Sequence, residues 1–332
     1  MRFALFLCLL PMASVAADYR IDCAFSPTLE AASRIELRAG DKLLLRSGCR
    51  WTGTLSPRGS GGPGKPVVID RYGEGPLPRI DGAGAEEALL LRDQEYIEVR
   101  NLELTNDAPT EGLRRGLLYR AGSVGRVLHH IRLSGLEIHN VRGFLGAEMS
   151  AKLTGGIGFE VATKEAATRL DDVRIENNHI HGVDNMGIYL YSESVPHPRS
   201  ARWEELRHTG VAVSGNKLED IGKNGICIRS SLAPVIDHNV IQGAAARMHG
   251  NAIYVFATKD ARIEFNEVFD TKYHGLEGAA YDADYNSEGT IIQYNYSHDN
   301  GGGLANICAN PDRKSTRLNS SHLRLSRMPS SA

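Results

Sequence analysis

The sequence predicts an all-β solenoid of stacked parallel coils. Three observations carry this: a strand-like segment with a recurring Asn repeats along the body, a second short strand follows most copies, and no helical periodicity separates the two. The recurring segments are VRNLEL (99–104), LSGLEI (133–138), IENNHI (175–180), VSGNKL (213–218), IDHNVI (236–241), IEFNEV (263–268) and IQYNYS (292–297). Aligned on Asn101, Gly135, Asn178, Asn216, Asn239, Asn266 and Asn295, they are spaced by 34, 43, 38, 23, 27 and 29 residues, a solenoid period with insertions. The second strands are GIGFEV (156–161), GIYLYS (187–192), GICIRS (225–230) and NAIYVF (251–256). Asparagine at one recurring place suits a tight bend, where it tolerates left-handed geometry and its amide bonds the Asn of the next coil. Its role is architectural. Asn295-Tyr296-Ser297, which matches a glycosylation acceptor, is read as part of that ladder.

Composition agrees. With 42% hydrophobic and 23% charged residues, the 332-residue chain can bury a sizeable core, and 35 Gly with 13 Pro predict many turns. After the N-terminus no apolar run approaches the roughly 20 residues of a membrane span. The formal charge of −2 conceals an acidic body, because Arg2 and five further basic residues lie in the two terminal segments. With those set aside the net is about −8, which argues against a nucleic-acid partner.

Four segments are expected. Residues 1–17, MRFALFLCLLPMASVAA, place one Arg before a short apolar stretch ending in small residues, the form of a removed secretory signal, so the protein is expected to be secreted or periplasmic. Residues 18–95 form an N-terminal cap and the first coils, and 96–312 the repeats. Residues 313–332 drop the alternation for a non-repeat basic, Ser-rich tail, expected to be non-native or disordered. On this reading the solenoid is C-terminally truncated. In an oxidising compartment Cys23 and Cys49, flanking one segment, are placed to pair, whereas Cys227 and Cys308 lack any C-x-x-C spacing and point away from zinc. GSGGPG (59–64) matches G-x-G-x-x-G by letter, but no helical pattern follows it, so it reads as a turn.

The run GDKLLLRSGCRWTGTLSPRGSGGPGKPVVIDRYGEGPLPRIDG (40–82) carries a GD-x-hydrophobic strand, a W-x-G turn and a YG-x-G-x-x-P segment. With the repeats, and with DADYNSEGTIIQYNYSHDNGGG (282–303), it resembles the right-handed parallel β-helix of pectate-lyase-like and polygalacturonase-like proteins over roughly residues 40–310. The resemblance implies a right-handed helix and a secreted polysaccharide-degrading enzyme. It does not supply site residues: the paired-aspartate, G-H-G and R-I-K set of polygalacturonases and a W-S-x-D lyase signature are both missing.

In stacked coils, equivalent positions fall into rows. With Ile157, Ile188, Ile226, Ile253 and Leu276 taken inward, the outward rows run Gly158, Tyr189, Cys227, Tyr254, Glu277 and Glu160, Tyr191, Arg229, Phe256, Ala279. Tyr189, Tyr191, Arg229, Tyr254 and Phe256 then form an exposed stripe suited to a sugar chain, since aromatic faces bind pyranose faces while charged groups bond hydroxyls; an ordinary solvated sheet face would alternate in the same way. The densest functional signal lies nearby in His274, Glu277, Asp282 and Asp284, with Asp282 and Asp284 as the acid pair, Glu277 and His274 as further catalytic candidates, and His298 and Asp299 following as substrate contacts. Asp282 and Asp284, two apart, point the same way if extended.

That pair suits glycoside hydrolysis, one carboxyl protonating the leaving oxygen while the other attacks or activates water, with no metal or cofactor. In the alternative, a polysaccharide lyase, Asp282 and Asp284 hold Ca²⁺ and Arg229 or Lys259 is the base. A third reading makes the two Asp turn caps, and a non-catalytic carbohydrate-binding β-helix or adhesin stays open. Hydrolysis is preferred because the acidic body lacks clustered Lys and Arg for a polyuronate. The insertion SESVPHPRSARWEELRHTG (192–210) is expected at the groove edge, where Trp203, Arg207 and His208 touch substrate or it is merely a tolerated surface loop.

Overall fold

The computed structural model describes residues 16–122, 124–146, 148–308 and the pair 317–318. The proposed signal, apart from Ala16 and Ala17, and the basic tail, apart from Arg317 and Leu318, lie outside the described residues.

The chain winds as a right-handed parallel β-helix with three long sheets. The first has 11 strands, from Asp18–Ile21 to Arg317–Leu318; the second has 9, from Arg50–Thr52 to Tyr296–His298; the third has 8, from Glu87–Arg92 to Ala305–Ile307. Each strand pairs with its equivalents one coil before and after. Ile157, Ile188, Ile226 and Ile253 are in register along the third sheet, and Ile138, Ile180, Leu218 and Ile241 along the second, all fully buried. Stacking of like on like fills the interior, because a parallel coil repeats the same inward position at every turn.

From the strand Ile97–Arg100 onward, two residues connect the first sheet to the second at each coil. The first of them takes a left-handed conformation, at Asn101, Gly135, Asn177, Gly215, His238, Phe265 and Tyr294. The second points inward, and from Asn178 onward it is the ladder asparagine. Nδ2 of Asn178, Asn216, Asn239 and Asn266 donates to Oδ1 of the next Asn at 2.9–3.0 Å. One-letter matching misplaces the first two coils. Asn101 and Gly135 are equivalent to Asn177, as the pairings Glu103↔Glu137 and Glu137↔His179 require. Their ladder positions are the buried Leu102 and Leu136, so the second coil spacing is 42, not 43. The left-handed residue and the ladder residue are adjacent but distinct, and Asn can fill either.

At the N-terminal end the helix Glu30–Ser33 packs Leu29 and Ala32 against the core, and Trp51 donates from Nε1 to the Ser26 carbonyl at 2.9 Å. Cys23 and Cys49 form a disulfide with Cα atoms 5.7 Å apart. Changing both to Ser is expected to lower stability by about 3 kcal/mol, read as a fall in melting temperature, because the unfolded chain loses a loop constraint.

Candidate active site

The third sheet carries the chemistry, but in a register one loop away from the expected one. The position after Ile253 in the inward row is Tyr281, not Leu276, which is 59% exposed in a loop with left-handed Gly275 and Gly278 on either side. The outward row therefore runs Gly158, Tyr189, Cys227, Tyr254, Asp282. Asp282 occupies the place assigned to Glu277, and Asp284 follows at the strand end.

The outward stripe is also not exposed. Tyr189 is fully buried; its hydroxyl lies 2.9 Å from the Leu153 carbonyl and 3.1 Å from Glu160 Oε1, with one proton to donate between them, and accepts from Arg115 Nε at 3.3 Å. Tyr191 and Tyr254 are buried with their hydroxyls 3.0 Å apart. Arg229 stacks at 4.0 Å from the Tyr191 ring centroid and 4.9 Å from that of the half-buried Phe256, and its Nη2 donates to Tyr254 OH at 3.1 Å. These large side chains cover one another, and the segment holding the helix Met149–Lys152 and Leu153 covers Tyr189. Alternation reveals which way a side chain points and not what later folds over it.

The insertion is likewise docked rather than open. Trp203 is fully buried and donates to the Ala257 carbonyl at 3.0 Å. His208 is fully buried; its Nδ1 accepts from Leu170 N at 3.0 Å and Nε2 lies 2.8 Å from Ser192 Oγ. Burial lowers its pKa to about 3, so it stays neutral. Arg207 lies over the Trp203 ring at 5.6 Å.

Asp282 is the most perturbed acid. It is 4% exposed, its Oδ2 accepts from Asn251 Nδ2 at 2.9 Å, and its Oδ1 has no hydrogen-bond partner among the described residues. Burial first, then Asp284 and Glu277, pushes its pKa up to about 8, against the lowering effect of Asn251. Asp284 is half-buried and accepts its neighbour Tyr285 N at 2.7 Å, in keeping with a turn. Donor atoms of Asp282, Asp284 and Cys308 lie within 4.8 Å of one another, and burial with the adjacent carboxylates pushes the Cys308 thiol up to about 12.

Around these acids is a pocket of about 90 Å³ that also presents Lys223, His249, Asn251 and Glu277. His249 Nδ1 lies 2.9 Å from Glu277 Oε2. Lys223, 3% exposed, has its pKa lowered by burial and then by Lys152. A larger cleft of about 480 Å³ lies on the same sheet, lined by Met149, Leu153, Glu160, Lys164, Tyr191 and Glu193 among others. The Tyr191–Tyr254 contact separates the two.

The structure brings Asp282, Asp284 and Glu277 together. It places His274 on the surface, bonded to the Ala245 carbonyl at 2.8 Å, and His298 with Asp299 on the second sheet, where His298 pairs with Phe269 in register. Lys259 does not line the acid pocket, and Arg229, which does, has its pKa raised by its Cys227 and tyrosine neighbours despite burial. Asn251, Asn224, His249 and Lys223 escaped the sequence reading. The signal for two of them was present: Asn224-Gly225-Ile226 and Asn251-Ala252-Ile253 open equivalent strands, and Asn251 N donates to Asn224 Oδ1 at 2.7 Å.

Coils of this form define a parallel β-helix protein, here with a buried acid pocket on one of its sheets. The family described as "Right handed beta helix region" matches residues 158–324, and the chain belongs to it. A lacto-N-biosidase of Bifidobacterium longum subsp. longum is 27% identical across 77% of this chain and 20% of its own length. The crystal structure of a GH136 lacto-N-biosidase from Eubacterium ramulus superposes with a TM-score of 0.77 at 25% identity, covering 87% of this chain and 57% of that one. An alginate lyase from Paenibacillus sp. shares the fold, with a TM-score of 0.50 at 15% identity over 92% of this chain and 99% of that one. This chain thus spans about a fifth of the curated relative and just over half of the solved lacto-N-biosidase.

Proposed function

We propose that the protein is an exported polysaccharide- or oligosaccharide-cleaving enzyme that hydrolyses a glycosidic bond, with Asp282 as general acid and Asp284 as the partner carboxylate. The observation that carries this is the buried Asp282, whose pKa of about 8 keeps it protonated at neutral pH beside a second carboxylate. Oδ1 of Asp282 is the oxygen left to give its proton to the leaving group, since Oδ2 is held by Asn251. With oxygens within 4.8 Å of each other, the two carboxyl groups match the close pairing of retaining enzymes, roughly 5–5.5 Å, better than the wider spacing of inverting ones, which favours attack by Asp284 on the anomeric carbon and net retention. Water then releases the sugar, with Asp282 returning as base. The 480 Å³ cleft, across the Tyr191–Tyr254 contact from the acids, is large enough for sugar rings. The lacto-N-biosidase relatives support hydrolysis, and the Cys23–Cys49 disulfide supports an oxidising, secreted or periplasmic location.

A second reading, Ca²⁺-dependent β-elimination, is favoured by Lys223, a buried lysine of lowered pKa facing the same acids and better suited to be the base than Arg229 or Lys259. The donor set fits Ca²⁺ poorly. Two carboxylates and a thiol fall short of the six to eight oxygens that ion takes.

Product analysis separates these readings. The full chain is incubated with neutral and acidic polysaccharides and with lacto-N-biosides, with and without chelator. New reducing ends without ultraviolet-absorbing unsaturation, indifferent to chelator, are expected. Unsaturated ends lost on chelation would replace hydrolysis by elimination, and binding without any product would make the protein a non-catalytic carbohydrate binder.

A further inference from the structure

The second sheet carries a group of side chains with no part in the acid pocket. Glu137 and His179 are register partners on adjacent coils, as are His139 and His181. Residues two apart on a strand face the same way, and neighbouring parallel strands lie about 4.8 Å apart, so these four occupy the corners of one outward patch. The interleaved Ile138 and Ile180 point into the core.

One donor atom from each of Glu137, His179 and His181 falls within 4.8 Å of the other two. The His179 and His181 ring centroids are 4.5 Å apart, and His139 stacks on His181 at 4.8 Å with its plane only 2° away. The neighbouring imidazoles have close carboxylate partners: His139 Nε2 lies 3.0 Å from Glu103, and His179 Nε2 lies 2.6 Å from Glu219. His181 differs. Its Nε2 is shielded from solvent and stands 3.6 Å from Glu137 Oε1, beyond hydrogen-bond reach. A buried nitrogen left unbonded opposite a carboxylate, with a second imidazole alongside, is an arrangement that a cation between the three would complete.

We infer that Glu137, His179 and His181 form a binding site for a borderline divalent transition-metal ion of the zinc class, bridging two consecutive coils of the solenoid. Two imidazoles and one carboxylate are a recognised zinc donor set, which leaves a fourth position for water. Glu219, bonded to His179, orients that ring and is the outer carboxylate such a ligand requires. Glu137, His179 and His181 are 43%, 38% and 32% exposed, so the three side chains lie at the surface, with His181 Nε2 itself shielded. By tying the strand Glu137–Val141 to His179–Val183, the ion stabilises the folded coils and not the unfolded chain.

The test uses the full chain and Zn²⁺ alone, with equilibrium dialysis for stoichiometry and thermal unfolding for stability. One tightly held Zn²⁺ per chain is expected, with a melting temperature that rises with Zn²⁺ concentration. Both effects should vanish in His181→Ala and in the isosteric Glu137→Gln, while Glu219→Gln weakens binding roughly tenfold to a hundredfold. Asp284→Asn serves as the control for the Asp282–Asp284–Cys308 group and should leave Zn²⁺ binding unchanged. Absence of binding to the unaltered chain overturns the inference. So does binding that persists in Glu137→Gln and His181→Ala, or that disappears in Asp284→Asn. If His181→Ala fails to fold, Glu137→Gln and His179→Gln decide the matter by the same readouts.

Discussion

Asp282→Asn is expected to lower kcat by roughly a thousandfold on any substrate the protein cleaves, because general-acid assistance contributes about 10²–10⁴ and the amide has no proton to give. The fold should survive. Asn fills the same volume, and its side-chain oxygen can accept the bond from Asn251 that Asp282 Oδ2 now accepts. The pH dependence gives an independent check. With the acid's pKa at about 8, kcat/KM should fall as pH rises through that value, and the residual activity of the variant should lack this limb.

Stability should move in the opposite direction. A folded-state pKa of about 8 lies above the roughly 3.9 of an unfolded Asp, so the native state binds the proton more tightly. Protonated Asp282 favours folding at low pH, and that advantage is lost progressively as pH rises from about 4 to about 8. Removing the charge should therefore make Asp282→Asn more stable than the parent at pH 9 while leaving it little changed at pH 4. Melting curves at the two pH values measure this. A variant that keeps its activity, or one destabilised equally at both, would remove Asp282 from the role of a buried acid.

Asn239→Ala is expected to cost about 3 kcal/mol, because it strips one rung from a buried ladder and leaves several polar groups without partners. Asn239 Oδ1 accepts from both the backbone and the side chain of Asn216, and its Nδ2 donates to Val213 O and to Asn266 Oδ1. All of these groups are buried at the corner between the first and second sheets. Asn239→Asp keeps the shape but cannot donate to Val213 O or Asn266 Oδ1, so it should be at least as damaging at neutral pH. Urea unfolding of both variants checks the ladder, and a loss under about 1 kcal/mol would make it ornamental.

The contrast between these two positions marks what could be read from one dimension. The Asn of each coil, the alternating Ile and Leu rows and the two-strand repeat are local patterns, and a solenoid is built from local patterns stacked on themselves. The β-helix was legible for that reason, and so was the concentration of acids near residue 282. The slip at Asn101 and Gly135 is of the same kind, since the bend accepts Asn or Gly at one place and the ladder Asn or Leu at the next.

The site depended on what the coils do not repeat. Leu276 looks like an inward residue until Gly275 and Gly278 turn its loop outward, and only then does Tyr281 take the rung and Asp282 the outward place. Tyr189, Trp203 and His208 are polar or aromatic residues in segments that alternate or insert, yet chain from elsewhere closes over them. Burial is a property of distant neighbours, and it is burial that raises Asp282, neutralises His208 and leaves His181 Nε2 facing Glu137. The sequence by itself determined the all-β coil, its period and its Asn ladder, because these rest on interactions between equivalent residues of successive turns. Tertiary structure alone decided which side chains meet, which are shielded from water and which therefore hold or lose a proton.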